Sequence, residues 1–129
     1  MSAEDFQTIR ATEVRKTVTP NAVMTTLASP TLSGTTHHCL WQVEFEPRAS
    51  GPHHSMDSEQ IWYLESGLVR CEIGEEEVLL GPGDVIRLAG GVVRRFHAVE
   101  ASTFIVCGEP GARAATPTTT DGVIPAWIA

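Results

Sequence analysis

The chain has 129 residues, a length that fits one domain with a single hydrophobic core. Nine Lys and Arg stand against sixteen Asp and Glu, and the resulting net charge of −7 offers no basic stripe to a phosphate backbone or an anionic lipid surface. We therefore expect neither nucleic acid nor a membrane as a partner. The first ten residues have neither the basic start nor the apolar run of a signal peptide, so we expect a cytoplasmic protein.

Short runs of alternating apolar and polar residues, separated by Gly and Pro, fill the middle of the chain. Alternation with period two at this spacing is typical of an all-β sandwich or barrel. The clearest run is Trp41 to Glu46. Further strands are predicted at Val23 to Leu27, Gln60 to Leu64, Leu68 to Ile73, Glu77 to Leu80, Val85 to Leu88, Val93 to Ala98 and Thr103 to Cys107. The sequence shows no long helical period.

The two ends of the chain differ from this middle part. The N-terminal residues are interpreted as an arm followed by an edge strand. Ala112 to Gly122 is poor in large apolar residues and predicts a flexible connector, whereas Val123 to Ile128 is an apolar tail. We expect the tail to dock on the barrel wall, with a lid or a dimer contact as the alternative. The prediction is one domain over 1–129, with its core at about 23–109 and the connector and tail at 112–129.

Cys39, Cys71 and Cys107 are odd in number, far apart and embedded in apolar or alternating stretches. Such spacing fits neither a disulfide framework nor a zinc site. We expect three reduced thiols in the core, with a reactive thiol at one of them as the alternative.

The segment around Gly83 follows a fixed spacing. Gly83 and Gly91 fit the pattern G(X)5PXG(X)2H(X)3N without a gap. Ala89 stands at the Pro position, Arg94 at the His position and Ala98 at the Asn position. This pattern resembles the second motif of the cupin superfamily, whose members are small β-barrels.

The first cupin motif, G(X)5HXH(X)3-4E(X)6G, has its counterpart upstream. Gly67 closes it, and Gln60, seven residues earlier, stands at the Glu position. The resemblance implies an all-β fold, a single cupin barrel (a double-stranded β-helix, similar to a jelly roll) with an N-terminal arm and a C-terminal tail. It also implies that side chains at the motif positions point into the barrel.

The histidine pair of the first motif is incomplete. One register puts His53 and Ser55 at the two HXH positions, and the other, one residue later, puts His54 and Met56 there. We favour the first, because His53 and Ser55 then precede a strand whose inward-pointing side chains are Gln60, Trp62 and Leu64.

The chemistry at these positions argues against the usual metal. The resemblance implies three imidazoles and one carboxylate around a divalent ion, whereas Arg94 stays protonated and has no lone pair to donate. We therefore expect no cofactor. A divalent metal stays the alternative, and its ligands would then be His53, His54, Gln60 and His97.

A fixed cation at Arg94 suggests a clamp for a carboxylate, an enolate or a phenolate. The catalytic residues predicted are then His53 as acid or base, Arg94 as clamp and Gln60 to orient the substrate. The predicted substrate-binding residues are Ser55, Trp62, Phe96 and His54. The alternative is that Arg94 pairs with a buried acid or points to the rim, which would leave the barrel as a plain core.

The remaining polar candidates are expected outside the site. His97 has the opposite strand parity to Arg94 and should face outward, and His37 and His38 flank a strand entry. Glu59 would become a ligand only if its strand slipped by one residue.

We predict a protein that binds a small oxygenated metabolite, most simply a metal-independent isomerase, cyclase or lyase that works by acid–base catalysis. Metal-free cupin epimerases and cupin-type polyketide cyclases are the families this resembles. The alternatives are a non-catalytic ligand-binding cupin and a dioxygenase-like cupin with altered metal ligands. We also expect a homodimer, because long edge strands and apolar arms usually pair.

Overall fold

The structure is a computed structural model that describes residues 5–129, apart from the side chains of residues 119 and 120. Within that range the chain is almost entirely β-structure, as predicted, with one single-turn helix, α1 (Pro30–Ser33). The strands are β1 (Arg15–Val18), β2 (Val23–Ala28), β3 (Cys39–Phe45), β4 (Ser55–Met56), β5 (Gln60–Ser66), β6 (Val69–Ile73), β7 (Glu76–Leu80), β8 (Val85–Leu88), β9 (Arg94–Ala98), β10 (Ser102–Gly108), β11 (Ala114–Thr116) and β12 (Thr119–Val123). No helix of residues 5–129 is long and apolar enough to cross a membrane.

All strand pairs are antiparallel, and they form three sheets. The largest has the order β1-β2-β3-β10-β5-β8, and the two smaller ones are β7-β6-β9 and β12-β11-β4. Two isolated bridges, Ser50 with His97 and His54 with Arg94, hold the segment before β4 alongside β9. This arrangement is the predicted cupin barrel.

The core forms because successive side chains on a strand face opposite sides. Along β3 and β10 buried residues alternate with more exposed ones, and the buried ones meet in one cluster. Four aromatic rings form its centre. Trp62 lies against Phe96 with ring centroids 4.6 Å apart and against Phe104 at 5.1 Å, and Phe45 meets Phe104 edge-on. Each such side chain contributes roughly 1.5–3 kcal/mol by leaving water.

The segment 112–122 differs from the flexible connector expected from its composition. It contains β11 and most of β12, and β11 also pairs with β4. Backbone hydrogen bonding explains the difference, because Ala and Thr can pair in a ladder without contributing large apolar side chains.

The C-terminal tail lies against the barrel. Ile128 is 1% exposed. The Thr26 hydroxyl donates to the Trp127 carbonyl at 2.8 Å, the Cys39 thiol donates to the Ile128 carbonyl at 3.3 Å, and Arg15 Nη2 donates to the Ala129 carbonyl at 2.8 Å. The tail is therefore held by side chains of three different strands.

The three cysteines are free, as expected. Cys39 and Cys71 are buried, but Cys107 is half-buried on the outer face of β10, so the expectation of a core position is wrong for this thiol. Burial raises the pKa of the Cys39 thiol, and it raises that of Cys71 to about 12. At neutral pH these two thiols are protonated and unreactive.

Candidate ligand-binding site

A cavity of about 260 Å³ lies inside the barrel, with walls from strands of the large sheet, from β9, β11 and from the tail. Its lining is mostly apolar and includes all three tryptophans of the chain, Trp41, Trp62 and Trp127. No Asp, Glu, Lys or Arg among the described residues lines it, and His54 is its one titratable side chain. A small concave apolar space with few polar groups is the usual form of a ligand pocket.

Arg94 and His54 reach this region as a pair. The Arg94 N–H donates to the His54 carbonyl at 2.8 Å, and the His54 N–H donates to the Arg94 carbonyl at 3.0 Å. Residues directly opposite each other in an antiparallel pair place their side chains on the same face. The backbone ladder alone therefore brings the guanidinium and the imidazole together.

The Arg94 side chain is completely buried, at 0% exposure. Its Nη2 donates to Gln60 Oε1 at 2.6 Å, while Nε and Nη1 have no acceptor among the described residues. Burial lowers the pKa of Arg94 to about 10, which still leaves the group charged at neutral pH. Neither predicted alternative for Arg94 holds, since it lies away from the rim and pairs with no carboxylate in residues 5–129.

Gln60 connects that charge to the cavity. Its Oε1 accepts from Arg94 Nη2 and also from Trp62 Nε1 at 3.0 Å. These two bonds fix the orientation of the amide, and its Nε2 makes no hydrogen bond within the part of the chain that the structure describes. A charged donor on the carbonyl oxygen polarises the amide and strengthens its N–H groups as donors. Gln60 thus offers a ligand a donor backed by the Arg94 charge.

His54 is a neutral imidazole of defined tautomer. Its Nδ1 lies 3.1 Å from the Pro52 carbonyl oxygen, which can only accept, so Nδ1 carries the proton and Nε2 holds the lone pair. Burial lowers the pKa of His54 below its ordinary value, the Pro52 bond opposes this shift, and the Arg94 charge adds to it. At neutral pH Nε2 is therefore available as a base.

The structure has the second of the two registers considered for the first motif. Met56 is buried and lines the cavity beside His54, whereas the His53 side chain is 49% exposed, with Nε2 3.8 Å from Glu72 Oε2. Ser55 is half-buried and lies outside the lining. The register that put His53 and Ser55 inward is wrong, because the pairing of His54 with Arg94 fixes the opposite parity.

His97 lies on the outer face, as its parity predicted. Its Nε2 is 2.9 Å from Glu72 Oε2 and its Nδ1 is 2.7 Å from the Ser50 hydroxyl. The hydrogen bond from His97 is the main reason that the pKa of Glu72 is lowered. His37 and His38 are exposed at the start of β3.

The residues at the four motif positions do not fit a divalent metal. They are His54, Met56, Gln60 and Arg94. The amide oxygen of Gln60 already accepts two hydrogen bonds, and the guanidinium cannot ligate and repels a cation. The alternative set of His53, His54, Gln60 and His97 is divided between the two faces of the barrel, and no other group of three His, Cys, Asp or Glu in the described residues could hold a metal.

Sequence reasoning placed Trp62, Phe96 and Gln60 correctly in the cavity wall, but it did not single out Trp41 as a site residue. Trp41 is 1% exposed, and its indole N–H has no acceptor in residues 5–129. Its parity within the Trp41 to Glu46 alternation was the available signal.

Comparison with known proteins agrees with this fold. Residues 41–107, more than half of the chain, match the family described as Cupin domain. Among solved structures the chain is similar to KdgF from Halomonas sp., at 23% identity and a TM-score of 0.69 over 81% of this chain and 94% of that one. None of the curated proteins matches the sequence.

Two further solved structures are similar at the level of the fold. The polyketide cyclase RemF from Streptomyces resistomycificus is 19% identical, with a TM-score of 0.70 over 84% of each chain. An RmlC-like cupin from Shewanella frigidimarina NCIMB 400 is 14% identical, with a TM-score of 0.68 over 79% of this chain and 88% of that one.

Proposed function

We propose that this chain, which belongs to the Cupin domain family, is a metal-independent enzyme of the isomerase, cyclase or lyase kind that moves a proton next to a carbonyl group. One observation carries the proposal. A neutral imidazole with a free lone pair, His54, and an amide donor backed by a buried cation, Gln60 with Arg94, belong to one mostly apolar cavity.

The roles follow from the hydrogen bonds. His54 Nε2 takes the proton from carbon, and negative charge develops on the carbonyl oxygen. That oxygen accepts from Gln60 Nε2, and Arg94 stabilises the charge through the Gln60 amide. Removing a comparable donor to a developing oxyanion costs about 2.7–4 kcal/mol in activation free energy. His54 thus takes the role predicted for His53, and Arg94 acts behind Gln60 instead of as a direct clamp.

The composition of the lining favours isomerisation among the three reaction kinds. With His54 as the one titratable group among the described lining residues, the nitrogen that removes the proton is also the nitrogen that returns one, after exchange with solvent. Such a single-base reaction needs no second acid, no redox partner and no metal.

Non-catalytic ligand binding is the second candidate. It is favoured by the enclosure of Arg94, whose Nε and Nη1 are buried and reach no acceptor in the described structure. In that case the cavity would hold a ligand without any proton transfer from carbon.

Hydrogen–deuterium exchange in D2O separates the two candidates. Ethyl 2-methyl-3-oxobutanoate is incubated at pH 6.5 with the protein, and loss of its C–H signal is followed by NMR. We expect exchange above the buffer rate, and His54→Gln should reduce the enzymatic part about 100-fold or more. The matched control His53→Gln changes the neighbouring exposed imidazole and should leave the rate unchanged. Equal rates for wild type and His54→Gln would contradict the proposal.

We also propose that the chain forms a homodimer. The outer face of the large sheet carries a strip of exposed apolar side chains, namely Leu40, Ile61, Tyr63 and Val85. Strand pairing makes the strip continuous, because Leu40 and Ile61 both lie opposite Cys107 and Tyr63 lies opposite Val85. Burying such a strip against a second copy removes it from water. Light scattering at micromolar concentration tests this, and a monomer would refute it.

A further inference from the structure

The Arg94 charge has no counter-charge inside the barrel. The guanidinium is 0% exposed, its one hydrogen bond goes to a neutral amide, and none of the ion pairs among residues 5–129 includes it. A buried charge without a partner is strongly unfavourable, and proteins normally pair it. Arg94 does not itself line the cavity, so an anion in the cavity would supply this counter-charge through the Gln60 amide to which Arg94 is hydrogen-bonded.

The form of that anion is restricted by the donors that it meets. Nη2 of Arg94 is engaged by Gln60 and Arg94 does not line the cavity, so a ligand meets the N–H groups of the Gln60 amide and the Trp41 indole N–H, not a guanidinium fork. A localised carboxylate needs several donors to replace its water. A delocalised oxyanion, whose charge is spread over a conjugated apolar frame, loses less hydration and suits an apolar lining with few donors.

The strength of the base restricts the reacting carbon. His54 is the one titratable lining group in the described structure, and burial lowers its pKa. Each unit of pKa difference between a carbon acid and the base costs about tenfold in the proton-transfer equilibrium. A C–H next to one carbonyl is a much weaker acid and would need strong stabilisation of its enolate, whereas a C–H between two carbonyls is acidic enough for an imidazole base that is assisted by one neutral amide.

From these three restrictions, and resting on the proposed function, we infer that the substrates are 1,3-dicarbonyl compounds with an apolar body, which the cavity binds as their delocalised enolates. In the reaction the C–H bond breaks, its proton moves to His54 Nε2, and its electron pair enters the O–C–C–C–O system. The same nitrogen then returns the proton to an oxygen or to a carbon of that system. Atoms and electrons balance without a co-reactant.

The test compares ligands of one shape and different charge. Dimedone is an enolate at pH 7.5, its O-methyl enol ether is neutral, and cyclohexanecarboxylate is a localised anion. Binding is measured by calorimetry and by the indole N–H NMR signals, since all three tryptophans of the chain line the cavity. We expect the enolate to bind at least about 10-fold more tightly than either other probe, as expected for a hydrogen bond to a charged group.

Variants identify the source of the preference. Arg94→Met should abolish it, and Arg94→Lys, which keeps the charge, should retain part of it. The matched control is Arg87→Met, because Arg87 is an exposed arginine paired with Glu59 at 2.8 Å. This variant should bind all three probes as wild type does.

The outcomes separate this inference from the proposed function. Three results would overturn the substrate class, even if the His54-dependent exchange is present. They are equal affinity for the enolate and the enol ether, no binding of either, and an enolate preference that persists in Arg94→Met. An Arg94-dependent enolate preference without His54-dependent exchange would support the ligand class and refute catalysis.

Discussion

Replacing Arg94 by methionine should stabilise the protein. In wild type, Arg94 Nε and Nη1 are buried without an acceptor in the described structure, and each such group costs about 1–3 kcal/mol. The substitution also removes the charged hydrogen bond to Gln60, worth about 1.5–3 kcal/mol, but Gln60 Oε1 still accepts from Trp62. Methionine fills a similar volume. At the middle of each range, two such groups against one lost bond give a gain of about 2 kcal/mol, in the range found when buried charges are replaced by apolar residues.

Urea denaturation followed by circular dichroism measures this gain. At an m-value of about 1–3 kcal/mol/M, the midpoint should rise by about 1 M, with m unchanged. The exposed control Arg87→Met should stay within about 0.5 kcal/mol of wild type. A loss of more than about 2 kcal/mol in Arg94→Met would refute the reasoning, because it would mean that the buried guanidinium is well satisfied in the unliganded protein.

Three further substitutions test other parts of the structure. A methyl group at Gly108 would lie 3.0 Å from Trp41 Cη2 and 3.4 Å from Gln60 Cγ. Gly108→Ala should therefore lower the free energy of unfolding by about 1–3 kcal/mol in thermal unfolding and weaken dimedone binding, and unchanged affinity would contradict this placement of the cavity wall. The pKa of Glu72 is lowered from its ordinary value of 4.5, so the ionised carboxylate stabilises the fold fully above pH 4.5, and this stabilisation is lost as the pH falls through the lowered pKa. Glu72→Gln should therefore flatten the acid side of a plot of unfolding free energy against pH, and an unchanged plot would count against the His97 bond. Ile128→Ala should lower the unfolding free energy by about 2–5 kcal/mol because Ile128 is buried, whereas the control Val123→Ala, at an exposed position, should change it little. Equal melting points for the two variants would show that the tail does not dock.

The strands could be predicted from sequence because each alternates and ends at a turn residue. The prediction for Val85 to Leu88 matches β8 at both ends, and that for Thr103 to Cys107 is one residue short of β10 at each end. Burial on one face fixes such patterns, since a slip by one residue would expose the whole apolar set. Residues 112–122 carry no such pattern, so their two strands, which rest on backbone pairing, could not be found in this way.

The incomplete histidine pair shows where sequence reasoning fails in the site. The two residues of β4 are too few for a period, and His53 and His54 are chemically the same. Their parity is set across the barrel, by the hydrogen bonds of His54 with Arg94, and by the burial of Met56. No local feature of the sequence contains either fact.

The same pairing explains how the site holds its geometry without metal-ligating side chains at all four motif positions. Backbone ladders place His54 opposite Arg94, and strand parity turns Gln60 and Trp62 to the same interior. None of these placements depends on a bound ion. The interior cation is instead the Arg94 side chain, which is covalently part of the chain and is hydrogen-bonded to the Gln60 amide. Such a charge can stabilise a developing oxyanion by polarising a donor, yet it leaves no open coordination position for dioxygen. For this reason proton transfer, and not oxidation, is the reaction that we propose for this site.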